Sequence, residues 1–446
     1  MNGIRITVAQ KGSDFVGLNI TSEVRCVTFP MGYAIDPADD VDITPSLRSE
    51  ILLLIRKISD CEKLQGERVC RINKNELRHD FPIGSILFLI EDFLNRCSYY
   101  TEKEKVMGEG LPGKISWSST IKRIKPIVSE RGIAFLDFIV HKSRIKQDRL
   151  ITELHKYCVR KSFELLGFLY TAAIPDQGLI NEADVKKNKA YYVRFLDSKI
   201  SETHLEQNAE LFVHMKNVIQ NFDSEDTISS ATYGTNSFHT VWESMVDSVY
   251  GTVCKTEMER YFFPNSMWVW ANGDKPKRNA PLRPDTIMID ETDGARRCFI
   301  LDSKYYSFAA MMNNGVDESE EDSQISVSAH GSIPGTDSIQ KQITYAEFID
   351  NSKTPPKSER LAKYKFDSDK IFNAFILPGK VSDGDGLKYI GYAEADWNTQ
   401  ATEGYRKIHG FLLDTKTVMQ KHSPANARQK LAGRILGKAL SLQRNA

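Results

Sequence analysis

The chain has 446 residues, 41% of them apolar and 26% charged, and its 59 Lys and Arg balance 59 Asp and Glu. That composition suits a globular protein of two or three domains and excludes a collagen-like or wholly disordered chain. Zero net charge gives no overall attraction for nucleic acid, so any such surface must be local, and no run of about eighteen apolar residues marks a membrane span. Cys26, Cys61, Cys70, Cys97, Cys158, Cys254 and Cys298 are scattered, with no Cys-x-x-Cys pair. This speaks against a zinc site or a disulfide frame and for a reducing cytoplasm. The opening MNGIRITVAQKG shows no signal-peptide pattern.

In chain order, IRITV, FVGLNI and VRCVTFP within residues 1–40 are β-branched or aromatic runs and predict short strands. Apolar spacing predicts helices over 46–58, 85–94 and 149–170. A further helix is expected over 203–222, with Thr203 and Glu206 at capping-box spacing. The polar stretch FDSEDTISSATYGTNS (222–237) reads as a domain boundary.

Beyond it, FHTVWESMVDSVYG is helical, and MWVW, TIMID, RRCFILDSKYY, FNAFILPG and KYIGYAEADW are strand-like. DSIQKQITYAEFI is a helix with Asp337 as its expected cap and Ile339, Ile343 and Ala346 on one face. ANARQKLAGRILGKALSLQR reads as a basic amphipathic helix. The expectation is an α/β domain with a mixed central sheet flanked by helices, preceded by an α+β N-terminal region. The regions are 1–110 (β-rich, partner-binding), 111–230 (mainly helical) and 231–446 (catalytic).

Charge is uneven. Residues 114–164 hold twelve Lys/Arg against five Asp/Glu, which makes either a solvated helical face or a surface for nucleic acid or a partner. Residues 313–337 carry Asp317, Glu318, Glu320, Glu321, Asp322 and Asp337 with no Lys or Arg, and read as a disordered loop.

An acidic residue, any residue and then lysine occurs at Asp184–Lys186, Asp197–Lys199, Asp302–Lys304 and Asp414–Lys416. Roughly four such triplets arise by chance in a chain of this length, so their surroundings must decide. Only the third follows a Pro-Asp across a hairpin: RPDTIMID, the turn ETDGAR, then RRCFILDSKYY. Strand alternation puts Asp302 and Lys304 on one face with Cys298 and Ile300, and the hairpin brings Asp285 toward Asp302. Pro175-Asp176 precedes Asp197, but NEADVKKNKAY between them is helix-prone and has no turn. Asp414 has no such partner and is expected to cap a helix beginning TKTVMQK.

Two carboxylates together resist joint ionisation unless a cation joins them, and Mg²⁺ prefers oxygen ligands and retains waters that suit a phosphate substrate. Asp285, Asp302 and the Ser303 carbonyl are therefore candidate ligands, with Lys304 beside the nucleophile. Glu243 is a candidate third carboxylate, as readily a plain surface acid. Lys341, Gln342 and Tyr345 are candidate contacts to phosphate or to water on the metal, against a solvated helix face with a packed tyrosine. GEGLPGKI (108–115) has phosphate-loop spacing, but Ile115 replaces the hydroxyl that would hold Mg²⁺.

FHTVWE, RPDTIMID, FILDSKYY and DSIQKQITY resemble the PD-(D/E)xK nuclease superfamily. More closely, the chain is similar to nuclease subunits of LlaJI-type restriction endonucleases and, more distantly, to the McrC group. GKISWSSTI (113–121) resembles a stretch in the N-terminal halves of such subunits. The resemblance implies a restriction-endonuclease-like fold and type II-like, Mg²⁺-dependent hydrolysis of double-stranded DNA. It also implies an McrB-like AAA+ GTPase partner, metal binding by Asp285 and Asp302, catalysis by Lys304, and support from Glu243 and Gln342. The acidic loop 313–337 departs from the family pattern. A repair nuclease on the same fold, and a silent scaffold binding DNA or a partner, are the alternatives.

Overall fold

A computed structural model describes residues 3–9, 15–21, 24–65, 77–79, 82–111, 113–130, 132–145, 150–170, 173–176, 178–221, 230–253, 261–291, 294–306, 333–350, 364–381, 386–397, 403–420 and 424–444. The chain forms two compact units, one from residues 1–78 with 232–446 and one from 79–231.

The first unit opens with β1 (Ile4–Val8), β2 (Val16–Thr21), β3 (Arg25–Phe29) and β4 (Ala38–Val41), so the three expected N-terminal strands are present. β1 pairs in parallel with β3 and antiparallel with β4, and β2 pairs antiparallel with β3. Helix α1 (Pro45–Gln65) follows, burying Leu47, Ile51, Leu54, Ile55 and Ile58 at helical spacing. A short strand, β5 (Leu77–His79), leads out of this unit.

The second unit contains α2 (Ile83–Arg96), β6 (Lys103–Glu109), β7 (Lys114–Ile115), α3 (Trp117–Arg123), β8 (Ile127–Ser129), β9 (Gly132–Ala134), β10 (Ile139–Ile145), α4 (Leu150–Leu166), α5 (Glu182–Glu202) and α6 (Glu206–Asn221). β10 pairs antiparallel with both β6 and β7, and β8 with β9. Helices α2, α4, α5 and α6 pack on one another. The capping box belongs to α5, where the Asn181 side chain accepts from Asp184 N–H and Asp184 returns the bond to Asn181 N–H. Thr203, expected to cap α6, instead terminates α5. In the phosphate-loop lookalike, Gly108 lies in β6 and Lys114 in β7, so no strand-loop-helix cradle forms.

The chain re-enters the first unit through β11 (Ser230–Thr235), which lies beside β2, with β5 beyond it, in a sheet ordered β4-β1-β3-β2-β11-β5. Gly17 has φ of 148°, and a Cβ there would lie 2.3 Å from the Tyr233 carbonyl oxygen, so only glycine permits this approach. Helix α7 (Phe238–Tyr250) buries Trp242, Met245, Val246 and Val249. A small hairpin, β12 (Met267–Trp268) with β13 (Lys277–Arg278), precedes β14 (Thr286–Asp290) and β15 (Arg297–Ser303). Next come α8 (Thr336–Ile349), β16 (Ile371–Gly379), β17 (Leu387–Ala393), β18 (Ile408–Asp414), α9 (Thr415–Gln420) and α10 (Pro424–Arg444).

The second sheet of this unit is mixed, in the order β14-β15-β16-β18-β17. β15, β16 and β18 run parallel, while β14 and β17 flank them antiparallel. Ile343, Tyr345, Ala346 and Ile349 of α8 are buried on one face, and α9 and α10 each pack on α7. This is the expected mixed α/β architecture with an α+β N-terminal region. Gly335, not Asp337, is the N-cap of α8; Asp337 sits in its first turn, where a carboxylate complements the helix dipole. Residues 313–332 of the acidic stretch lie outside the described residues.

The two sheets of this unit are tied together by the turn after β3. Met31 donates its N–H to Tyr305 Oη at 2.7 Å, and its carbonyl accepts from Thr415 Oγ1 at 3.0 Å. Gly32, with φ of 74°, fits against the backbone of Gly379, where a Cβ would stand 2.5 Å from the amide nitrogen.

Candidate active site

β14 and β15 form the hairpin expected from the sequence, with Thr286 opposite Leu301 and Ile287 opposite Ile300. Asp285, one residue before β14, accepts the Ser303 N–H at 2.9 Å through Oδ2. Asp302 is 8% exposed, and its Oδ2 lies 2.7 Å from Lys304 Nζ. Lys304 continues the parallel ladder by donating its N–H to the Ile376 carbonyl at 2.9 Å. Asp285, Asp302, Ser303 and Lys304 thus converge where the central strands end.

The electrostatics of this cluster are those of a site short of positive charge. Burial raises the Asp285 carboxyl well above the usual carboxylate range, and the charges of Asp302 and then Glu243 raise it further. Lys304 and the Ser303 N–H pull it partly back. Burial on its own would lower the Lys304 ammonium; the neighbouring Asp302, with help from Asp285, turns the net shift upward. Lys304 is therefore held as a cation.

Glu243 is placed by its neighbour. Trp242 is fully buried, with its indole N–H directed at the Ile376 carbonyl at 3.4 Å, and Glu243 follows it on α7, close enough to act on Asp285. On the other side of the problem stands α8. Tyr345, Ala346 and Ile349 pack with Cys298, Ile300 and Ile287, while the earlier Ile343 packs with Phe375 and Leu377. The helix therefore runs antiparallel to β15, which sets Gln342 toward the Asp302 end. Gln342 is fully buried, and neither amide atom has a hydrogen-bond partner among the described residues. Such an unpaired amide costs about 1–3 kcal/mol and is suited to receive a ligand or water.

Two of the companions on α8 behave differently from Gln342. Lys341 is exposed and lies 3.9 Å from Asp337. Tyr345 is buried and donates to the Arg283 carbonyl at 3.1 Å, fixing the loop two residues before Asp285. Two further residues escaped the sequence reading. Tyr305, next to Lys304, is held by Met31 and packs against Phe238 at a ring separation of 5.4 Å. Asn373, fully buried, donates to the carbonyls of Gln342 and Tyr405 at 3.1 and 2.7 Å. An Asn inside an otherwise apolar strand-like run (FNAFIL) was the sequence signal for it.

The other triplets are occupied elsewhere. Asp197 lies on α5 and pairs with Lys216 at 2.6 Å, while Lys199 pairs with Glu102 at 2.7 Å. Asp184 is engaged in the α5 cap. Asp414 accepts the Thr417 N–H at 2.7 Å as a helix cap, and Lys416 pairs with Glu50 at 2.6 Å.

Among the described residues, no group of three or more His, Cys, Asp and Glu side chains is gathered closely enough to hold a metal ion. The candidate donors are hence two carboxylates, Asp285 and Asp302, with a backbone carbonyl. That set fits Mg²⁺, which takes oxygen ligands, commonly one or two carboxylates, and fills the remainder with water and substrate phosphate. The raised Asp285 carboxyl and the unpaired Gln342 amide leave negative charge and hydrogen-bonding capacity that a cation and its water would satisfy.

A family model for the LlaJI restriction endonuclease matches residues 15–397. The chain belongs to that family. This LlaJI-family protein is 25% identical over 312 residues to the type II restriction enzyme BsuMI component YdjA of Bacillus subtilis (strain 168). The match covers 67% of this chain and 57% of that protein, so the chain spans little more than half the length of its curated relative. It also aligns, at 13% identity and a TM-score of 0.33, with a chain of the Thermococcus gammatolerans complex of McrB AAA+ hexamers with bound McrC, over 95% of this chain and 83% of that one. A likeness of that size carries no argument. No helix among the described residues is long and apolar enough to cross a membrane.

Proposed function

We propose that this LlaJI-family protein is the Mg²⁺-dependent endonuclease subunit of a restriction system and hydrolyses phosphodiester bonds in double-stranded DNA. The observation that carries the proposal is the convergence of Asp285, Asp302 and Lys304 at one end of a mixed sheet. Asp285, Asp302 and the Ser303 carbonyl would hold the metal, which when bound supplies Lewis acidity toward a phosphate oxygen and toward water. Lys304, kept protonated by Asp302, orients the attacking water and offsets charge developing on the phosphate. Glu243 adds negative charge beside Asp285, and Gln342 supplies an unspent amide for water in the site.

Site-specific recognition and any nucleotide-driven motion are assigned to an McrB-like AAA+ GTPase partner, by the chain's resemblance to LlaJI-type subunits. Two features support this. The chain has no net positive charge, whereas phosphate contacts dominate non-specific DNA affinity, and its phosphate-loop lookalike is interrupted by strands. The region 1–230 is the proposed docking surface for that partner, and the basic stretch 114–164 is a candidate part of it.

Plasmid cleavage with and without the partner and GTP tests the proposal. Asp285→Ala, Asp302→Ala and Lys304→Ala should each abolish cleavage while leaving the protein folded, and Asp197→Ala should retain it. Activity kept in Asp302→Ala and lost in Asp197→Ala would reverse the assignment of the site.

A further inference from the structure

Immediately upstream of Asp285, the chain projects a small hairpin. Met267 pairs with Arg278 and Trp268 with Lys277. The tip is a tight turn in which Gly273, at φ of 82°, gives its N–H to the Trp270 carbonyl. Asn272 and Asp274 bond to each other there, at 2.6 and 3.2 Å, which occupies the hairpin's carboxylate. The base is tied by Asn279 N–H to the Ser266 carbonyl and by Leu282 N–H to the Pro264 carbonyl, both at 2.9 Å. Tyr261, Phe262 and Phe263 below it are buried in the core that also contains Ile287 and Ile300. The hairpin is therefore anchored firmly to the sheet that carries the candidate site.

Its surface is unusual. Trp268 and Trp270 are 61% and 43% exposed, and their rings stack at 6.1 Å and 15°. Directly opposed residues of a ladder share a face, so Trp268 stands beside Lys277. Lys275, Lys277 and Arg278 are exposed, and among the described residues no carboxylate pairs with them. Residues 264–283 contain four Lys/Arg (Lys275, Lys277, Arg278, Arg283) against Asp274, a local excess of three charges in a chain whose total is zero. Exposed tryptophans cost solubility, and an unpaired cationic rim around them fits a polyanion with apolar faces.

Building on the nuclease reading above, we propose that the hairpin Ser266–Asn279 is a DNA-binding arm that grips the duplex next to the scissile phosphate. Lys275, Lys277 and Arg278 contact backbone phosphates, and the Trp268–Trp270 face packs on sugars and bases in the groove. A two-stranded ribbon is narrow enough to enter the major groove, and only Ala280 to Pro284 separate the base of the arm from Asp285. Binding by the arm would thus deliver a phosphate to the carboxylates.

The test uses full-length protein carrying Asp302→Asn, so that binding is measured without cleavage, and a fluorescein-labelled DNA duplex at low salt. Titration should quench tryptophan fluorescence, and the quench should vanish in Trp268→Phe/Trp270→Phe. Lys277→Ala/Arg278→Ala should weaken binding by about tenfold and reduce the salt slope by about two, since each phosphate contact contributes about 0.9. The altered side chains are exposed, so the melting temperature should not move. Parent protein that does not bind the duplex, or variants that bind it as tightly as the parent, would overturn the arm. So would variants that bind DNA normally but fail to bind the partner NTPase, since the face would then belong to protein. In otherwise unaltered protein supplied with the partner NTPase, GTP and Mg²⁺, DNA binding that depends on the arm without any cleavage would instead sink the nuclease reading and leave the arm standing.

Discussion

Replacing Asp285 with Asn separates charge from shape at the proposed metal site. In the metal-free protein, the buried Asp285 carboxyl is raised well above the unfolded range by burial and by Asp302 and Glu243. The folded state accordingly prefers Asp285 protonated, and its contribution to stability is lost as pH rises through the folded value. Once ionised, the group stands against the like charges of Asp302 and Glu243, which a bound cation would relieve. A metal held at about 100 times its dissociation constant adds about 2.7 kcal/mol. For a unit of this size, 1 kcal/mol moves the midpoint by about 2 °C, giving a rise of about 5 °C. Thermal scans from pH 4 upward, with Mg²⁺ and with EDTA, should show wild type losing stability as pH rises in EDTA and recovering it with Mg²⁺. Asp285→Asn should show a flatter pH dependence in EDTA, no Mg²⁺ shift and no cleavage. An equal Mg²⁺ shift in both proteins would refute a metal site at these carboxylates.

Lys304→Gln should lower cleavage by about a hundred- to a thousandfold, the scale of losing one charge-stabilising donor, yet keep the Mg²⁺-dependent rise in melting temperature; single-turnover rates and thermal scans check both halves. Gln342→Leu should leave the fold at least as stable, because it removes an unpaired buried amide, while slowing cleavage and altering its Mg²⁺ titration. Asp197→Ala should change stability by less than about 1 kcal/mol, as expected for an exposed ion pair, and leave cleavage intact in the plasmid assay. Burial, reinforced by Arg96 for His155 and by Lys407 for His409, lowers both imidazoles from 6.5 to about 4; their contribution is therefore full above pH 6.5 and is lost by up to roughly 3 kcal/mol each as pH falls toward 4. His155→Gln should flatten that loss in urea titrations of the unit formed by residues 79–231.

What could be read from the sequence follows the range of the interactions involved. β1, β2 and β3 were legible because alternating β-branched residues face a core locally, as were α1, α2, α7 and α10 through their apolar spacing. β6, with the sequence KEKVMGE, was not: Val106 and Met107 are exposed, so no buried period marks it. β11 was taken for a polar boundary because its SATYGT is small and polar. Its strand state depends on closeness to β2, which Gly17 permits and no local pattern reveals. Both misplaced caps, Thr203 and Asp337, came from residue types that favour capping. Thr203 instead closes α5 as its C-cap, and Gly335 takes the N-cap of α8; capping preference is too weak to overrule where a helix must begin for packing.

The same division runs through the site. Asp285, Asp302 and Lys304 lie on one hairpin, so turn chemistry and strand parity were enough to bring them together. The rival at Asp197 could be set aside for the converse reason, since a continuous helix admits no such convergence. The supports of the site are long-range and mostly address backbone atoms: Tyr345 on the Arg283 carbonyl, Met31 N–H on Tyr305, and Asn373 on the Gln342 carbonyl. A side chain that satisfies a backbone group needs no complementary residue type at the other end, so it leaves no pair to find in the sequence. The Met31–Tyr305 bond has a mechanical consequence as well. It joins the N-terminal sheet to the residue beside Lys304, and Gly32 closes on Gly379 at the end of the neighbouring strand. The turn after β3 is thus joined directly to the residue beside Lys304. Tyr305→Phe, which removes the acceptor of the Met31 N–H, should lower single-turnover cleavage more than DNA affinity; a fall in affinity alone would place Tyr305 outside that route.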